Sequence, residues 1–140
     1  MRRAAEAPAE KRDSAVQRQA DKFVAFWHKT GIVHFREEEE VLLPAYARYA
    51  RLDQDAAIMR LLADHAEIRA AVQDFEQRRT KKLPIEAEAM ARLAKLLHDH
   101  VRFEENDVFP RIERVLGEEN LHAMGRGLTR LHSKTDVCDI

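Results

Sequence analysis

Two stretches of this chain carry the same ligand-type residues at the same spacing. HFREEEEVLLP runs from His34 to Pro44, and HVRFEENDVFP runs from His100 to Pro110. Each opens on a histidine, with an arginine two positions later, glutamates at four and five, and a proline at ten. His34 and Glu38 are four apart, as are His100 and Glu104. In a helix each pair therefore stands one turn apart on a single face. Imidazole and carboxylate both ligate transition metals, and bundle interiors are where helices bring such pairs together.

That chemistry requires helices that aim these residues inward. The sequence predicts four helical stretches. In the first, roughly 14–43, Phe23, Trp27, His34, Glu38 and Val41 share one face. Gly31 weakens this helix slightly, and Pro44 is expected to end or kink it. In the second, roughly 55–79, Ile58, Leu61, His65, Ile68, Val72 and Phe75 alternate steps of three and four, the seam of a bundle helix. In the third, roughly 85–116, Met90, Leu93, Leu97, His100 and Glu104 form the inner stripe, and Gly117 stops it. A shorter fourth, 118–134, carries Leu121, Met124, Leu128 and Leu131, with Gly125 and Gly127 weakening it. The expected architecture is all-α, an antiparallel helix bundle in a single domain over 1–140, with its core at 14–116.

The inward polar residues also fall at one level. Antiparallel neighbours joined by short turns place equal distances from the turn side by side. His34 and His65 both lie on the order of 15 Å from the turn between their helices, at about 1.5 Å per residue. His65 and His100 both lie ~22 Å from the next turn. A buried carboxylate is costly unless paired or bound to a metal. A single inward histidine is usually an ordinary core residue with a hydrogen-bond partner, and a glutamate run is usually solvated. On that basis Glu37, Glu39 and Glu40 read as a solvated face, and Glu38 alone shares the face of His34. Five inward ligand-type residues in one layer read instead as a metal site: His34, Glu38, His65, His100 and Glu104. His28 reads as surface, Arg36 and Arg102 as outer-face residues. His98 and Asp107 are candidates for supporting the ligands from outside.

HFREEEEVLLP, LLADHAEIRA and LLHDHVRFEENDVFP resemble the hemerythrin-like HHE cation-binding domain family, over about residues 14–116. The resemblance implies a four-helix bundle holding a non-haem di-iron centre. It implies that His34, His65 and His100 ligate iron and that Glu38 and Glu104 bridge the two ions. It implies a ligand such as dioxygen or nitric oxide, and in some members iron-sulfur repair or iron sensing. The family has an earlier helix with a further histidine ligand. By the same height rule that ligand would fall before Met1, so the first family helix is expected to be missing or truncated. His132, at the matching level of the fourth stretch, is either a tail histidine or a replacement ligand, supplied within the chain or across a homodimer.

Composition narrows the alternatives. Lys and Arg number 24 against 25 Asp and Glu, a net charge of -1, which offers no electrostatic footprint for nucleic acid or an anionic membrane. No apolar run is long enough to span a bilayer and no signal segment opens the chain, so a cytoplasmic protein is expected. One cysteine, Cys138, excludes a disulfide framework. Three functions stay open: a di-metal protein that binds or senses a small oxidant, a diiron redox or repair protein, and a metal-depleted helical interaction module. The donor set suits iron, manganese or zinc. No cysteine or tyrosine stands near the layer to complete a catalytic pair, which weighs against an enzyme.

Overall fold

The three-and-four stripes become three long helices in the computed structural model, which describes residues 9–117. No strand occurs among the described residues. Helix α1 covers 9–46. It joins Ala9–Phe26, a π-turn at Trp27–Gly31, Ile32–Glu37, a second π-turn at Glu38–Leu42, and Leu43–Tyr46. Helix α2 is Ala56–Thr80. Helix α3 covers 87–117, with Ala87–Phe103 leading into a π-turn at Glu104–Val108. The expected fourth stretch and His132 lie outside the described residues. None of the described helices is long and apolar enough to cross a membrane.

The π-turns change the register. In α1 the Leu43 N–H reaches back five residues to the Glu38 carbonyl, and in α3 the Phe109 N–H does the same to Glu104. Each π-turn takes in one residue more than an α-turn and rotates the helix beyond it. Val41, expected inside, is therefore 46% exposed, and Leu42 takes its place at 1%. Asp107 is likewise exposed while Val108 is fully buried. Neither Pro44 nor Pro110 ends its helix. Each lies just past its π-turn, where the wider turn relieves the clash between the proline ring and the preceding carbonyls.

Contacts at both ends fix alternating helix directions. Gln17, early in α1, exchanges two hydrogen bonds with the backbone of Ile85, in the turn before α3. At the opposite end the Tyr46 hydroxyl donates to Asp55 Oδ2 at 2.7 Å, and Arg111 of α3 lies 3.8 Å from the same oxygen. Asp55 Oδ1 also caps α2 by accepting from the Ala57 and Ile58 N–H groups. After α2 the chain turns with Lys82 at φ 57, the Leu83 N–H bonding the Arg78 carbonyl and the Lys82 N–H that of Arg79, a Schellman stop.

The apolar core divides in two. Phe23, Trp27, Phe35, Val72, Phe75 and Leu93 anchor one cluster. Leu42, Tyr46, Ile58, Leu61, Val108 and Ile112 anchor the other. Between them lies a layer of buried polar groups.

Candidate metal centre

That layer consists of His34 and Glu38 from α1, His65 from α2, and His100 and Glu104 from α3. Their exposures are 8, 0, 0, 2 and 0%, so all five expected residues are buried together. The four-residue spacing puts His and Glu of each repeat on one face, and the stripes around them point that face inward.

The two carboxylates divide their oxygens in the same way. Glu38 Oε1 contacts His34 Nε2, while Glu38 Oε2 lies 3.3 Å from His65 Nε2. Glu104 Oε2 lies 3.4 Å from His34 Nε2, while its Oε1 lies 2.5 Å from His100 Nε2 and 3.7 Å from His65 Nε2. Each carboxylate thus turns one oxygen toward His34; the other faces His65 in Glu38, and His100 and His65 in Glu104. Both Glu38 oxygens, His65 Nε2 and His100 Nε2 are buried without a hydrogen bond of acceptable geometry. Buried polar atoms left so are costly. Ligand atoms of Glu38, His65, His100 and Glu104 all lie within 4.8 Å of one another. A first-row metal sits about 2.1 Å from nitrogen and oxygen ligands, so one cation would satisfy this set with a slight contraction. The cluster could therefore hold a metal.

Electrostatics fit the same arrangement. Burial alone would lower the pKa of His34, but Glu104 and Glu38 beside it raise it to about 10. Burial opposes the charge on His65 too, and Glu104 and Glu38 push its pKa up to about 9. His100 is raised against burial by Glu104 and then Asp64. Burial would raise Glu104, yet His100, His34 and His65 hold it well below the usual carboxylate range. Without a metal, imidazolium protons balance the carboxylates, and a metal must displace those protons to bind.

Three residues outside the expected set shape the site. Glu39, expected on the solvated face, instead accepts from His65 Nδ1 at 2.6 Å and from Arg69 through both oxygens at 2.8 Å. One helical step beyond Glu38 rotates Glu39 toward α2, where His65 and Arg69 stand one turn apart. The cue was that i, i+4 pair facing a glutamate run. Asp64 accepts from His100 Nδ1 at 3.1 Å. Phe35 stacks on the His65 ring, centroids 3.7 Å apart and 8° from parallel, and meets Trp27 edge-on. His28 is on the surface, paired with Glu76. His98 and Asp107, considered as supports for the ligands, are both exposed, and His98 contacts only its neighbour Asp99 among the ion pairs described. Arg36 faces outward beside Glu40, and Arg102 is exposed, both as expected.

The family model described as the hemerythrin HHE cation binding domain matches residues 1–112 of the chain. No curated protein and no solved structure matches it significantly.

Proposed function

This chain belongs to the hemerythrin HHE cation-binding domain family, and from that premise we propose that it holds a carboxylate-bridged pair of iron ions and binds or senses a small oxidant such as dioxygen or nitric oxide. The observation that carries this reading is the shared division of oxygens by Glu38 and Glu104. A carboxylate with one oxygen toward each of two histidine groups is placed to bridge two cations. In this reading His65 and His100 would hold one ion and His34 the other, and Glu38 and Glu104 would be shared between them.

Iron in such a site would supply reversible binding of, and electron exchange with, the oxidant. The chain supplies the surroundings. His65 and His100 direct Nε2 inward because Glu39 and Asp64 occupy their Nδ1 atoms. Phe35 and the two apolar clusters exclude bulk water from above and below the layer. Tyr46 is committed to Asp55, which supports binding or sensing over turnover.

A second reading has its own support: the imidazolium–carboxylate network is balanced by protons alone, as a metal-free interaction module would require. The two readings separate on metal analysis of protein purified without chelator, followed by optical spectra of the ferrous protein with and without nitric oxide. Iron at one to two ions per chain and a new absorption band support the first. Protein that neither carries nor takes up a metal leaves only the second.

A further inference from the structure

Helix α2 contributes one ligand-type residue to the layer, yet it touches the centre through more than His65. The His65 ring is held on two sides. Phe35 lies flat against it at 3.7 Å, which fixes the plane of the ring. Glu39 accepts from its Nδ1 at 2.6 Å, which fixes its rotation in that plane. Glu39 is in turn gripped by Arg69, Nη1 to Oε2 and Nη2 to Oε1, both at 2.8 Å. A two-pronged guanidinium grip allows a carboxylate little freedom. Arg69 also stands 5.5 Å over the Phe35 ring, so the same four side chains close on themselves.

We propose that Glu39 and Arg69 are positioning residues of the metal centre, acting through His65 and touching no ligand atom that faces the centre. This rests on the metal-centre reading above. A neutral imidazole carries one N–H and one lone pair. A carboxylate at Nδ1 keeps the N–H there and leaves the Nε2 lone pair toward Glu38 and Glu104. Arg69 keeps that carboxylate in place through both oxygens. The counterpart on His100 is looser. Asp64 lies 3.1 Å from His100 Nδ1, and Arg60 stands 4.0 Å behind Asp64. The competing description is an ordinary half-exposed ion pair that happens to touch a histidine, and such pairs contribute little.

The full chain is loaded with zinc, chosen because it is diamagnetic, and its affinity is measured by competition with a chromophoric chelator. The His65 Nδ1 proton is followed by NMR. Glu39→Gln is expected to weaken zinc binding about tenfold to a hundredfold and to move the Nδ1 proton resonance. Arg69→Met should weaken it less and move the same resonance. The double variant should lose no more than Glu39→Gln alone, since Arg69 acts only through Glu39. Glu40→Gln, at the exposed neighbour, should change neither readout. His65→Ala is the reference for the centre itself. If His65→Ala loses zinc while Glu39→Gln matches Glu40→Gln in both readouts, the positioning role is wrong and the metal centre stands. If His65→Ala binds zinc as tightly as wild type, the centre fails and this inference with it. Losses that add in the double variant also overturn the chain from Arg69 to His65. Should Glu39→Gln fail to fold, Arg69→Lys, which keeps the charge but not the two-pronged grip, must move the resonance and weaken binding for the proposal to survive.

Discussion

The two repeats begin from the same spacing and end in unequal roles. His34–Pro44 and His100–Pro110 each bury a glutamate, open a π-turn at it, and carry a proline through the helix beyond. Yet His100 enters a group that already contains His65, while His34 faces the outer oxygens of both carboxylates as the sole histidine described on its side. His34 is also the most exposed of the five, at 8%. The difference comes from α2. It lies where its one inward histidine reaches the side of His100. Its Asp64 backs the histidine of α3, and its Arg69 holds the Glu39 carboxylate behind its own. Equal motifs on two helices thus build an unequal centre once a third helix takes one side.

The largest effect should come from breaking the stronger side. If the proposed centre is right, His100→Ala should empty it of metal, because it would remove a ligand from the two-histidine side and the contact nearest Glu104 Oε1. His34→Ala should leave about one ion per chain on the side of His65 and His100. Metal analysis of the two purified variants checks this, and equal retention in both would mean that the two sides are equivalent.

Acidity gives the next contrast. In the metal-free protein His34 and His65 have pKa values raised to about 10 and about 9. Unfolded histidine titrates near ~6.5. The stabilisation from these protonated rings is therefore complete below about 6.5 and is lost as pH rises through 9 and then 10. The urea midpoint of metal-free protein should fall between neutral pH and pH 10. Metal binding should strengthen over the same range, with protons released, and the ion beside His34 should be the last to load. A metal-free midpoint that rises with pH would contradict the imidazolium–carboxylate pairing.

Only the first repeat has a second π-turn upstream, and it packs tightly. A Cβ on Gly31 would lie 2.7 Å from Trp27 Cε3. Gly31→Ala should therefore push the Trp27 ring aside. The cost should be about 1–2 kcal/mol, since overpacking outweighs the better helix propensity of alanine. Fluorescence of Trp27, the single tryptophan, should shift with it. An unchanged spectrum and stability would mean that this π-turn adapts freely.

The smallest effect concerns the end that joins all three helices. Tyr46→Phe removes the donor to Asp55 but leaves its cap on α2. A loss of about 1 kcal/mol in denaturant unfolding is expected, with metal content unchanged. Loss of metal in this variant would show that the end clamp sets the level of the layer.

Much of this was legible in the residues alone. The stripe from Ile58 to Phe75 required His65 to point inward, because its neighbours on the stripe, Leu61 and Ile68, are apolar. The equal distances of His34, His65 and His100 from their turns followed from helix rise and short connections. Those are local rules, and they set both the bundle and the five residues of its polar layer. Other features needed the packed helices. A π-turn inserts a residue without changing the pattern of apolar and polar letters, so Val41 and Asp107 fit an inward stripe on paper and face solvent in the fold. Leu42 and Val108 are inside because the apolar neighbours of the other two helices meet them there. Glu39 looked like any member of a charged run. What distinguishes it from Glu37 and Glu40 is the pair His65 and Arg69 on α2, and only the contact between α1 and α2 could choose which glutamate they meet.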